Sequence, residues 1–212
     1  MKKWNYNDVY KKYDMNGVIN IGKGTVKVHD IFNGLPEFMK QADCIFCDPP
    51  CSRGNLSTFY TKAELTNTND YLHFQNRLFE CIDEVKPIDL FLEVFKSNKE
   101  SFIADCRKRY KYVDVYESTY YFKENNVCWI IHAHNYELKE PFPINGTDEE
   151  DVIEWITQNI DYKCIGDFCM GRGLVGYYSN KAGKHFVGTE LNKKRLAILL
   201  DMINNNSMKG YH

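Results

Sequence analysis

"IGDFCMGRGLVG" (residues 165–176) decides how this chain is read. Gly171, Gly173 and Gly176 fall at the G-x-G-x-x-G spacing of a turn that closes a strand, opens a helix and lets backbone approach a ligand. "KCIGD" before it reads as a strand and "RGLVGYYSNKAG" as a helix; "HFVGTE" is a second strand and "NKKRLAILLDMI" a second helix. Glu190 lies 19 residues past Gly171, the distance at which such folds place an acid for a ribose hydroxyl. A nicotinamide dinucleotide fits poorly, because Asp167 stands at the strand tip and its carboxylate repels a pyrophosphate. A cationic ligand carrying an amine and a sulfonium tolerates that acid. Only 22 residues follow Glu190, so the remaining strands of the sheet are expected earlier in the chain.

Those strands are found on working outward. "TVKVHD" (25–30) alternates and ends in Asp30, and "ADCIFC" (42–47) is a buried-strand run that Asp48-Pro49-Pro50 ends abruptly. "IDLFLEVF" (88–95) is a strand; "KYVDVYESTYYF" (111–122) and "NVCWIIHAH" (126–134) form an antiparallel pair. Helices are expected at "GLPEFMKQ", at 69–85 with helical spacing of Leu72, Leu78, Phe79 and Ile82, at 98–109, and from "DEEDVIEWITQNI" with Thr147 as cap. Residues 51–62 read as a loop and 1–17 as a helix or arm.

The sum is a single α/β domain over 1–212. It has a mainly parallel, seven-stranded-type sheet with an antiparallel hairpin and helices on both faces. Residues 18–135 form one half, 136–150 a connector and 151–212 the half with the glycine turn. Four acids, Asp30, Asp48, Asp167 and Glu190, fall at strand ends, where open α/β sheets bind ligands. Any one of them is explained as a strand terminator; the four together imply a common crevice.

Composition narrows the partners. Lys plus Arg is 27 and Asp plus Glu 29, a formal charge of −2, so phosphate contacts must come from local patches. Residues 2–13 and "RKRYKY" (107–112) are basic-aromatic stretches of that kind, although a solvated helix end and strand surface account for each singly. No stretch reaches 18 apolar residues and no signal-peptide core is visible, so no membrane partner is expected. Eight cysteines on strands suit a reducing cytoplasm. Cys44, Cys47 and Cys51 have C-x2-C-x3-C spacing, but two prolines intervene, no fourth ligand is near, and Cys44 and Cys47 face opposite sides of a strand. His132 and His134 are two apart on one strand face, a metal-pair spacing with no further ligand in view.

"GDFCMGRGLVG…HFVGTELNKKRL" resembles the D-P-F-x-G-S-G-T…G-x-E segment of amino-group DNA methyltransferases, which bind S-adenosylmethionine. Their second signature, (D/N/S)-P-P-(Y/F/W), is matched at three of four positions by Asp48-Pro49-Pro50-Cys51. Its place before the glycine turn is similar to the permuted order of the β class, over residues 18–62 and 127–203. The resemblance implies that Asp167, Phe168, Cys169, Gly171 and Gly173 hold the methionine part of the cofactor. Glu190 takes the ribose hydroxyls, Leu191 packs on the adenine and Asp30 lies near that ring. Asp48 and the Pro49 carbonyl then accept hydrogen bonds from a base amino group, stiffened by Pro50, with no metal in the chemistry. An initial Asp favours adenine N6 over cytosine N4.

The chain also departs from the family. Cys51 replaces the aromatic that stacks on an extruded base, a contact worth ~1–3 kcal/mol. Phe59 or Tyr60 in the next segment is a substitute, or packs the loop onto the domain. Phe168-Cys169 replaces Pro-Phe and Arg172 a small Ser. The connector after "CWIIHAH", about 15 residues, is far short of a recognition module. Sequence reading is then minimal, carried by other loops, or supplied by a homodimer or specificity partner. An RNA or protein methyltransferase and a non-catalytic cofactor- or DNA-binding module are the rival readings.

Overall fold

A computed structural model describes residues 9–209. Among them eight strands form one sheet: β1 (Val18–Ile21), β2 (Gly24–Val28), β3 (Cys44–Cys47), β4 (Asp89–Val94), β5 (Tyr112–Tyr120), β6 (Lys123–His134), β7 (Cys164–Asp167) and β8 (His185–Glu190). The helices are α1 (Arg53–Lys62), α2 (Tyr71–Val85), α3 (Lys99–Arg107), α4 (Glu149–Asn159), α5 (Leu174–Lys181) and α6 (Lys193–Asn205). The strand order is β1-β2-β8-β7-β3-β4-β6-β5. The run β2-β8-β7-β3-β4 is parallel, while β6 is antiparallel to both β4 and β5.

The expected mainly parallel sheet with an antiparallel hairpin is therefore present, with one strand more than the seven-stranded pattern. β1 pairs antiparallel with β2 through the two-residue turn Gly22-Lys23, and Gly22 has φ +53°. "VINIGKGTVKV" holds that hairpin signal, short strands around a glycine turn, and β1 is the strand beyond those expected from the sequence.

Alternation along the buried strands builds two cores. On β3, Ile45 and Cys47 join Leu78, Phe79 and Phe102 on the face covered by α1, α2 and α3. Cys44 and Phe46 join Ile156, Val175 and Leu199 on the face covered by α4, α5 and α6. Cys44 and Cys47 thus face opposite sides, and all eight cysteines are free.

Three local expectations are corrected. Residues 51–62 are largely α1, not loop: Ser52 caps it by accepting Asn55 N–H at 3.3 Å, and Leu56 and Tyr60, four apart, are its buried pair. Its Gly, Asn, Ser and Thr content hides it, because tertiary packing outweighs weak propensity. Asp148, not Thr147, caps α4. Leu72 is 66% exposed; the buried stripe of α2 runs through Phe74, Leu78 and Ile82. Of the segment 1–17, residues 1–8 lie outside the described residues. Val9–Lys12 is a 3-10 turn, and Lys12 and Tyr13 reach Asp201 on α6 at 3.1 and 3.0 Å. No helix among the described residues is long and apolar enough to cross a membrane.

Candidate active site

β3 and β7 are neighbouring parallel strands, so the corner after Cys47 and the bend after Asp167 emerge side by side. At the first, Asp48-Pro49-Pro50 turns the chain away from the sheet, and the following carbonyls are tied down. Tyr71 Oη donates to the Pro50 carbonyl (2.8 Å) and is itself met by Asn98 Nδ2 (2.9 Å); Ser97 Oγ donates to the Cys51 carbonyl (3.0 Å). The proline rings fix φ, so this corner has little freedom left to lose.

The second corner is organised by its own acids. Cys169 N–H donates to Asp167 Oδ1 (2.9 Å); Gly171 N–H donates to Glu190 Oε2 (2.7 Å) and Asn192 N–H to Glu190 Oε1 (2.8 Å). Gly171 has φ +56° and Gly173 φ +81°, a region that favours glycine. Gly173 has a packing reason too: a Cβ there would lie 2.6 Å from Leu199 Cβ on α6.

One cavity of about 420 Å³ spans both corners. Asp48, Pro49, Pro50 and Cys51 line it, as do Asp30, Phe59 and Tyr60, and so do Asp167, Phe168, Cys169, Gly171, Glu190 and Leu191. Of the residues that the resemblance assigns to cofactor and base, Gly173 alone stands behind the wall. The four strand-end acids do share a crevice. Phe168 is buried and Leu191 half-buried, both packed on the core. Phe59 lies beneath the Arg195 guanidinium at 4.8 Å. Tyr60 is buried, and its hydroxyl donates to Asp30 Oδ2 at 2.8 Å. Asp30 also accepts Phe32 N–H at 3.0 Å.

The electrostatics are unusual for a surface cleft. Protein packed around Asp48 raises its carboxyl to about 7; the Glu149 charge adds to the rise and Arg195 opposes it. Asp48 itself faces the cavity, and solvent entering there tempers the shift. Burial likewise raises Glu149 to about 7. Glu93, on β4, is pushed well above the carboxylate range by burial and then by the charges of Asp48 and Glu149. Its Oε1 is buried without a hydrogen-bond partner. Burial raises Asp167 strongly and Glu190 less, since Arg195 and backbone N–H groups hold Glu190 down.

Sequence reasoning missed Glu93 and Glu149. Glu93 did leave a signal, an acid inside the apolar run "IDLFLEVF"; Glu149 was masked by its acidic neighbours. Also missed were the aromatics Phe95, Tyr120 and Tyr121, which line the cavity beyond Cys51. Tyr120 stands edge-on to Phe95 (5.3 Å) and Tyr121 to Tyr120 (5.1 Å), with Arg172 over Tyr121 at 5.9 Å. "RKRYKY" is mostly engaged internally: Lys108 pairs with Asp105, Arg109 with Asp83, and buried Tyr110 donates to the Pro87 carbonyl.

Neither a protein-family model nor a curated protein matches the chain. Solved structures do match in fold. M1.HpyAVI in complex with SAM superposes with a TM-score of 0.59 at 13% identity, covering 83% of this chain and 98% of that one. TTHA0409 from Thermus thermophilus, complexed with S-adenosyl-L-methionine, gives 0.58 at 11% identity over 85% and 93%. PvuII DNA methyltransferase (cytosine-N4-specific) gives 0.53 at 7% identity over 89% and 95%. The chain therefore has the amino-DNA methyltransferase fold.

Proposed function

We propose that this chain is an S-adenosylmethionine-dependent methyltransferase acting on the exocyclic amino group of a DNA base, adenine N6 before cytosine N4. The observation that carries this is the single cavity shared by the Asp-Pro-Pro corner and the glycine bend on adjacent strands. Fold neighbours crystallised with this cofactor support it.

The residues at the bend suit the cofactor. The cavity is large enough for a nucleoside-sized ligand, and Phe168 and Leu191 give it an apolar wall. Asp167 is a buried acid held by the Cys169 N–H, suited to a cationic group and hostile to a pyrophosphate. Glu190 accepts backbone N–H groups on both oxygens, and a carboxylate has room for further donors such as ribose hydroxyls. Asp30, beside Tyr60, flanks the adenine end. When bound, S-adenosylmethionine supplies a methyl group activated by a sulfonium.

The protein's part is positioning and electrostatics. An exocyclic amine on a base is a weak nucleophile because its lone pair is delocalised into the ring. The Asp48 carboxylate and the Pro49 carbonyl accept its two hydrogens, favour a pyramidal nitrogen and stabilise the positive charge that develops there. Pro50, Tyr71 and Ser97 hold the corner rigid. Phe95, Tyr120 and Tyr121 take the stacking role that Cys51 cannot fill, on a base rotated out of its duplex. With so short a connector at 136–150, the remaining recognition falls to other loops, a second copy or a specificity partner.

The test is incubation with methyl-labelled S-adenosylmethionine and separate DNA, RNA and protein pools, followed by nucleoside analysis of whichever is labelled. Label in N6-methyladenine is the expected result, abolished by Asp48→Ala. N4-methylcytosine would move the base assignment, and label in RNA or protein alone would overturn the DNA reading. Tight cofactor binding without transfer to any pool would make the chain a binding module.

A further inference from the structure

At the other end of the sheet, away from the cleft, two histidines of β6 meet an acid of β5. The antiparallel register sets Asp114 opposite His132, with His134 two residues along the same face. One nitrogen from each imidazole and one carboxylate oxygen lie within 4.8 Å of one another.

The hydrogen bonds around these rings assign their lone pairs. His132 is wholly buried, and its Nε2 lies 2.7 Å from Asp89 Oδ1. That carboxylate also accepts the Tyr136 hydroxyl. As an acceptor, Asp89 puts the ring hydrogen on Nε2. The lone pair is then on Nδ1, which is buried without a partner. His134 Nδ1 lies 2.7 Å from the Tyr136 carbonyl, which can only accept, so Nδ1 carries the hydrogen. The lone pair of the neutral ring is on Nε2, and Nε2 faces Asp114 Oδ2 at 2.8 Å. Two acceptors this close repel unless a cation or a proton lies between them. A buried nitrogen lacking any partner, on a ring stacked against His134, points to a missing ligand.

We propose that Asp114, His132 and His134 form a binding site for a divalent first-row metal ion, Zn²⁺ above all. Asp89 and the Tyr136 carbonyl act as the outer groups that orient the two imidazoles, the arrangement metal-binding histidines use. Two imidazoles and a carboxylate suit zinc, whereas calcium and magnesium want oxygen alone. Tetrahedral ligands about 2.1 Å from zinc stand about 3.4 Å apart, so the two imidazoles, stacked with centroids 4.3 Å apart, would turn out of that stack for both lone pairs to reach one ion. Asp114 is 47% exposed, and a cavity of about 200 Å³ lined by Tyr112, Asp114, His134 and Glu137 gives the ion a way in, with a fourth position for Glu137 or water. An ion here would clamp β5 to β6 and fix the start of the 136–150 connector, a structural task rather than a chemical one.

The test uses the full chain, stripped with chelator, and Zn²⁺ alone as probe. Calorimetry should give one ion per chain, and the melting temperature should rise by about 5 °C or more at a hundredfold excess over Kd. Co²⁺ substitution should give a d–d spectrum without a thiolate charge-transfer band, which separates this site from the eight cysteines. Asp114→Ala, at a half-exposed side chain, should fold and bind at least tenfold more weakly; His134→Ala should remove binding. No ion bound to the wild type, equal affinity in Asp114→Ala, or a thiolate signature would each overturn the proposal.

Discussion

The two ends of the sheet treat carboxylates in opposite ways. At the amino end of β4, Asp89 takes a histidine nitrogen and a tyrosine hydroxyl, and Asp114 faces a second histidine. In the cleft at the carboxyl ends, Asp48, Glu93 and Glu149 crowd together with Arg195 opposing the charge on Asp48 and Arg172 that on Glu149. Acids in the first set stand against histidine nitrogens; those in the second crowd against one another in an environment that disfavours their own charge. Such under-compensated carboxyls mark a place prepared for a ligand. The sharpest way to break the contrast is Asp48→Ala. Loss of one oriented electrostatic group should lower kcat by at least ~10²-fold, with an unchanged circular dichroism spectrum. Near-wild-type turnover would show that Asp48 is a strand terminator like any other.

Glu190 is the intermediate case, buried but supported by backbone N–H groups from Gly171 and Asn192. Charge-assisted hydrogen bonds contribute about 1.5–3 kcal/mol, so Glu190→Gln should weaken S-adenosylmethionine binding by about 10- to 100-fold in calorimetry, with DNA binding unaffected. The pH dependence follows from the crowded carboxyls. Asp48 must be ionised to accept the amine hydrogens, so kcat/KM should rise with pH between the ordinary carboxylate range and about 7, the solvent at the cavity mouth setting the midpoint below that upper bound. Stability runs the other way. The folded state of Glu149 keeps its proton from its ordinary value of 4.5 up to about 7, while the unfolded chain releases it. The stabilising contribution is thus full below about 4.5 and is lost as pH rises through about 7. A chemical-denaturation series from pH 5 to 8 should show stability falling across that window, and Glu149→Gln should make the fall shallower, the other raised carboxyls supplying the rest.

The sequence made the two corners legible because each is local. A strand, an acid and a run of Gly or Pro lie within a dozen residues, and strand–helix alternation says which ends of the sheet they occupy. What it hid depends on register or on tertiary packing. Asp114 joins His132 and His134 only through the β5–β6 pairing, so two histidines on one strand had no third ligand in view. Glu93 meets Glu149 across β4 and α4, 56 residues apart. α1 is held by Leu56 and Tyr60 against the core, in a segment whose composition says loop. The α4 cap was missed by one residue because Thr147 and Asp148 both have capping side chains, and only the backbone decides which is used.

That cap gives the smallest and most local version of the contrast, since Asp148 and Glu149 are adjacent and belong to opposite kinds. Asp148 is fully committed: Oδ1 accepts Glu150 N–H at 3.3 Å, while Oδ2 accepts Thr119 Oγ1 at 3.0 Å and Phe122 N–H at 2.8 Å. It ties α4 to the end of β5 and to the turn whose Tyr121 lines the cleft. Losing an Asp cap costs about 1 kcal/mol, and two further contacts add roughly as much. Asp148→Ala should therefore lower the melting temperature by about 4–8 °C. Glu149→Gln removes a charge that burial disfavours and should leave that temperature unchanged or raise it at pH 8. Two neighbouring substitutions shifting stability in opposite directions would separate an acid used for structure from an acid reserved for the site. If both destabilise equally, Glu149 belongs with Asp148, and the crowded carboxyls of the cleft reduce to Asp48 and Glu93.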